Sequence, residues 1–92
     1  MIDDVNSPLS NNFYYVYIPK CADGKPYTVY TQYLEDRMGR HHRGSVPATK
    51  DRRPLELITF IAFTSEYQAI EYERYIKSGS GRAVLKKRFW KQ

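Results

Sequence analysis

Two short runs of aromatic and β-branched residues, Phe13 to Ile18 and Tyr27 to Thr31, stand on either side of an Asp23-Gly24 pair. Successive strand side chains point to opposite sides, so Tyr15 and Tyr17 share one face of the first run while Tyr14, Val16 and Ile18 share the other. An Asp-Gly pair between two such runs predicts a β-hairpin. Pro26 is compatible with this because it sits where the second run begins. The period then changes. Leu34, Arg37, Met38 and His41 recur at three and four residues, which predicts a helix over residues 32–42 with Arg37 and His41 at the border of its apolar stripe. Thr31 is placed to cap that helix. Glu35 and Asp36 fall in its first turn and Arg37, Arg40 and His41 further along, the order that the helix dipole favours.

Residues 43–54, RGSVPATKDRRP, contain two prolines and four basic residues and predict a long loop. LELITFIAF, residues 55–63, is mainly apolar and rich in β-formers, so it is expected to be the third and best-buried strand. Ser65 with Gln68 three residues on predicts a capping box opening a second helix. On that helix Ala69, Ile70, Glu73, Ile76 and Lys77 share one side. Lys77-Ser78-Gly79-Ser80-Gly81 should break it, with Ser80 placed to cap a third helix. That helix carries an apolar stripe of Val84, Leu85 and Phe89 and a basic face of Arg82, Lys86, Lys87, Arg88 and Lys91. Residues 1–12 are polar, acidic and turn-prone, which predicts a flexible arm before one domain spanning residues 13–92.

Charge adds a partner class. The 92 residues carry a formal +5, and nine of them are tyrosine. Beyond the arm, 15 basic residues face 8 acidic ones, a balance suited to a polyanion. A single cysteine, Cys21, excludes an internal disulfide and a cysteine-based zinc site. No run approaches the roughly 20 apolar residues needed to span a bilayer, and nothing resembles a signal peptide, so the expected compartment is the cytoplasm. The glycines at 79 and 81 lack the pattern and preceding strand of a phosphate-binding P-loop.

A few residues have candidate chemistry. The Arg37 guanidinium is planar, stays charged and offers paired donors, which suits phosphate. Glu73 sits among apolar neighbours, where a carboxylate needs either a cation to coordinate or a salt bridge with Lys77 or Arg37. Tyr17 and Tyr27 are either half-buried sheet aromatics or phenols at a site. Arg43, Lys50, Arg52 and Arg53 in the loop region, and Arg82, Lys86 and Lys87 on the last helix, either clamp a phosphate backbone or are simply solvated.

Taken together these stretches resemble the two-part signature of the GIY-YIG nucleases. Tyr15-Val16-Tyr17 stands in the place of the first tripeptide and Tyr27-Thr28-Val29 in that of the second. Arg37 and His41 match an Arg-x-x-x-His pair, and residues 69–77 resemble the later helix with Glu73 at its metal-ligand position. The similarity covers about residues 13–89. Val29 departs from the glycine that normally closes the second tripeptide, and His42 stands where asparagine is frequent. The resemblance implies an α+β fold in the order β-β-α-β-α-α, with a small, three-stranded, mainly antiparallel sheet flanked by helices. It further implies an endonuclease that uses Mg²⁺ or Mn²⁺ to hydrolyse phosphodiester bonds in DNA, in repair or on particular DNA structures, with a protein partner supplying specificity. Glu73 would hold the metal and Arg37 would stabilise developing charge. Tyr17, assisted by His41 or Tyr27, would orient or deprotonate the attacking water. The alternative is a catalytically weak or inactive nucleic-acid-binding module of the same fold, which Val29 favours. A protein-interaction domain using exposed tyrosines leaves Arg37, His41 and Glu73 unexplained.

Overall fold

A computed structural model describes residues 13–90. The arm expected over residues 1–12, and Lys91 of the expected basic face, lie outside the described residues. The elements run β1 (Tyr14–Lys20), β2 (Val29–Thr31), α1 (Leu34–Arg43), a 3₁₀ turn (Lys50–Arg52), β3 (Glu56–Phe63), α2 (Glu66–Lys77) and α3 (Gly79–Phe89). The fold is α+β in the expected order β-β-α-β-α-α. Its sheet has the strand order β2-β1-β3, and both pairings are antiparallel.

The β1–β2 hairpin turns where the sequence indicated. Gly24 takes φ 82, its N–H donates to the Cys21 carbonyl, and the Asp23 carboxylate accepts from the Lys25 N–H. The second strand is shorter than expected, beginning at Val29. Tyr27 instead reaches β1 through a bond from its N–H to the Pro19 carbonyl. Pro19 lacks a ladder donor and lies at a register shift between Ile18 and Pro19 where β1 pairs with β3, which is how a proline enters a central strand.

The best-buried strand is β1, not β3. Residues Tyr15 to Pro19 are all buried, whereas β3 has no fully buried residue. The cause is topological. β1 is paired on both edges and covered on both faces, while β3 is an edge strand with Leu57 and Phe60 partly in solvent. On one face Ile18 packs with Ile76 of α2 and Leu85 of α3, with Tyr72 and Trp90 closing the cluster. On the other face Tyr17 meets His41 of α1.

Two caps also differ from expectation. Thr31 does not cap α1. Its Oγ1 accepts from the Tyr33 N–H at 2.9 Å, a local turn that ends β2, and the helix begins at Leu34 without a side-chain cap. Ser78, not Ser80, caps α3 by accepting from the Gly81 N–H, so the break between α2 and α3 shrinks to one residue. Ser65 does cap α2, accepting from Gln68 N–H. No helix among the described residues is long and apolar enough to cross a membrane.

Candidate active site

Helical spacing sets Arg37 and His41 one turn apart on the side of α1 that faces β1. The sheet brings Tyr17 up to meet them. The Tyr17 hydroxyl lies 2.7 Å from His41 Nε2, and His41 Nδ1 lies 2.8 Å from the Thr49 hydroxyl. Tyr17, His41 and Thr49 each have 0% exposure. His41 is thus fully enclosed rather than at the border of the stripe, because the loop after α1 folds back over it. Tyr27 completes the wall, its ring edge-on to the imidazole at 5.8 Å, the same separation as Tyr17 to His41. Of the residues expected at the site, the fold brings together Tyr17, Tyr27, Arg37 and His41. Thr49 was missed, since nothing in a Ser/Thr/Pro-containing loop marks one hydroxyl as buried.

Burial sets the protonation states. It raises the Tyr17 phenol to about 12, against the pull of the neighbouring Arg37 cation. It also lowers His41, and the charges of Arg37 and His42 lower it further. Near neutral pH the pair is therefore phenol and neutral imidazole. A histidine depressed on folding leaves the unfolded chain holding a proton that the folded chain lacks once pH drops below about 6.5. Stability contributed by neutral His41 is present above that value and is lost as pH falls toward the folded value. The thermal midpoint should decline more steeply between about pH 7 and pH 5.5 in the wild type than in His41→Gln; equal slopes would assign the loss to other groups.

Arg37 forms no ion pair among the described residues, and its charge acts on both Tyr17 and His41. Glu73 is held differently. Its carboxylate forms an ion pair with Lys77 Nζ at 3.1 Å one turn along α2, with its side chain 24% exposed. The salt bridge foreseen as one alternative is therefore present. No three His, Cys, Asp or Glu residues cluster in metal-binding geometry among the described residues. Glu73 is a single carboxylate, and a hard divalent ion held there would take the rest of its shell from substrate oxygens and water.

The cations expected to bind nucleic acid do not form one cluster. Lys50 and Arg53 line a shallow depression beside His42, with Arg53 bonded to the carbonyls of Lys50 and His42. Arg43 is exposed at the end of α1. Arg52 is tied to the hairpin turn by two bonds to Asp23, 2.8 and 3.3 Å long, and this pairing holds the Asp23 carboxyl below its ordinary range. It nevertheless lines a groove of about 450 Å³ with Lys25, Arg82, Lys86 and Trp90. A second groove, about 210 Å³, shares Pro26, Arg82 and Leu85 with the first and continues to Tyr27 and Lys77. Lys87 is exposed but does not line either groove. Trp90 joins α3 to the hairpin by donating its indole N–H to the Gly24 carbonyl at 2.7 Å, a link with no sequence signal.

A family profile described as the GIY-YIG catalytic domain matches residues 13–88. A UPF0213 protein of Pediococcus pentosaceus is 38% identical over 80 residues, covering 86% of this chain and 83% of its own. A UPF0213 protein of Haloquadratum walsbyi is 38% identical over 69 residues, covering 74% and 78% respectively. The solution NMR structure of a UPF0213 protein from Bacillus halodurans is similar with a TM-score of 0.54 at 33% identity, over 82% of this chain and 83% of that one. The profile runs from β1 into α3 and encloses Tyr17, Tyr27, Arg37, His41 and Glu73, so the chain belongs to the GIY-YIG catalytic domain family.

Proposed function

We propose that this domain is a metal-dependent endonuclease that hydrolyses phosphodiester bonds in DNA. The observation that carries the reading is the enclosed Tyr17–His41 pair beside an Arg37 with no carboxylate partner among the described residues, with Tyr27 packed on His41 and also lining a cation-bearing groove. A guanidinium in that condition is available to the non-bridging oxygens of a phosphate and to the charge that grows on them in the transition state. The attacking water has to reach Tyr17, which is enclosed before substrate binds, and Tyr17 then hands a proton to the neutral His41. Lys25, Arg82 and Lys86 hold the backbone along the groove. Glu73 is the residue that would hold Mg²⁺ or Mn²⁺, which when bound polarises the phosphate and stabilises the leaving oxygen.

Val29 lies in β2 in register with Tyr17, and its side chain is a buried part of the core. Contacts from Lys and Arg to phosphates position a duplex without reading its sequence, so the reading includes a protein partner that selects the site. It places the domain in the cytoplasm, on repair intermediates or other structured DNA.

The test is cleavage of labelled duplex, flap, junction and single-stranded DNA with Mg²⁺ or EDTA, by the wild type and by Glu73→Ala. We expect metal-dependent cutting that falls by at least about 10²-fold in the variant, on the scale seen when a group that stabilises transition-state charge is removed. Salt-sensitive binding without cutting by either protein would replace the enzyme with the binding module.

A further inference from the structure

We propose that Thr49 is a positioning residue that fixes which nitrogen of His41 faces Tyr17, so that the phenol is the proton donor between them. Donors and acceptors alternate along one buried row. Arginine has donors and no acceptor, so the Arg37 cation near Tyr17 offers the hydroxyl proton no acceptor. The partner available to that proton is His41 Nε2, 2.7 Å away. At the other end, the Val46 carbonyl only accepts. It takes the backbone N–H of Thr49 and, at 3.5 Å, the Thr49 hydroxyl proton. The Thr49 oxygen is then an acceptor for His41 Nδ1–H at 2.8 Å.

Both ends give the same polarity: Tyr17 O–H to Nε2, Nδ1–H to Thr49, and Thr49 O–H to the Val46 carbonyl. The tautomer of a histidine is set by the bond its second nitrogen makes. Thr49 has 0% exposure, so water does not substitute for its hydroxyl. The backbone holds it in place through Thr49 N–H to Val46 and Arg52 N–H to the Thr49 carbonyl.

This inference rests on the nuclease reading only for its consequence in the reaction. As the water attacks, its proton passes to the Tyr17 oxygen, the Tyr17 proton passes to Nε2, and the resulting imidazolium keeps Nδ1–H on Thr49. With the opposite tautomer Nε2–H would point at the phenol, and the one lone pair of His41, on Nδ1, would face Thr49 and not the proton.

The experiment is ¹⁵N NMR of the His41 imidazole in the wild type, Thr49→Val and Thr49→Ser, with kcat and KM for each. The wild type should carry its proton on Nδ1 with Nε2 bare. Thr49→Val should show a mixture of tautomers and a kcat lowered about 10- to 100-fold at nearly unchanged KM, the scale of lost support to a functional histidine. Thr49→Ser, which restores the hydroxyl, should recover both. A proton on Nε2 in the wild type overturns the proposal without any variant having to fold. A tautomer unchanged in Thr49→Val overturns it as well. Should the wild type cut no substrate, the nuclease reading fails while the imidazole spectrum still decides the role of Thr49.

Discussion

Replacing Tyr17 by phenylalanine is expected to lower kcat by about 10²- to 10⁴-fold, the range for removing a positioned proton-transfer group. The substitution keeps the ring that packs in the centre of β1 and deletes only the hydroxyl that meets His41. Because the phenol titrates at about 12, free phenolate is scarce near neutral pH and does not account for the activity. The proton has to leave as the water attacks, and His41 has to be neutral to accept it. Activity should therefore fall on the acid side as the imidazole charges, below its ordinary pH because burial and Arg37 depress it. Deleting the hydroxyl also leaves Nε2 buried without a donor, which costs about 1–3 kcal/mol. A thermal melt run alongside the kinetics separates this loss from the catalytic one. Tyr27→Phe should be milder, since the contact given by Tyr27 is ring against ring. A Tyr17→Phe variant that cuts at the wild-type rate would remove the phenol from the mechanism.

Local signals were readable where a single stretch of chain determines the outcome. Asp23-Gly24 defines its own turn and Ser65 its own cap, and both are where the sequence indicated. The Arg37–His41 spacing needs only helical geometry. The placing of β3 depended on neighbours distant in sequence. LELITFIAF reads as the most apolar strand, yet it lies at the edge because the tyrosine-rich β1 takes the centre. Tyrosine can occupy a core position when its hydroxyl has a partner, and for Tyr17 that partner is 24 residues away. Thr49 went unnoticed for the same reason. Thr31 and Ser80 were each assigned a cap by a rule that names suitable residue types, and the chain used its neighbouring geometry instead. Glu73 was legible as a carboxylate needing a cation, and Lys77 at the fourth residue on supplies one in this state.

The sharpest stability prediction concerns the one-residue junction between α2 and α3. A Cβ on Gly81 would stand 1.9 Å from the Tyr75 carbonyl oxygen and 2.6 Å from Ile76 Cα. Those are backbone atoms, so no rotamer relieves the overlap and α3 must move away from α2. Overpacking of this kind costs up to about 3 kcal/mol even when side chains can yield. We expect Gly81→Ala to lose at least about 3 kcal/mol, which for a domain of this size lowers Tm by roughly 12–24 °C. Gly79 is the control, because nothing lies within 4 Å of its Cβ position and its φ is unremarkable. Alanine there narrows the unfolded ensemble and should leave stability unchanged or raise it by about 0.4–1 kcal/mol. Opposite effects from two glycines two residues apart would show that close approach of the helices, and not glycine content, sets the junction. The consequence reaches function, because α3 carries Arg82, Lys86 and the Trp90 at its end into the groove. Partial displacement of α3 should weaken salt-sensitive DNA binding while leaving the Tyr17–His41–Thr49 row on the opposite face of the sheet intact. A Gly81→Ala protein that melts like the wild type would mean that α3 does not approach Tyr75 and Ile76 so closely.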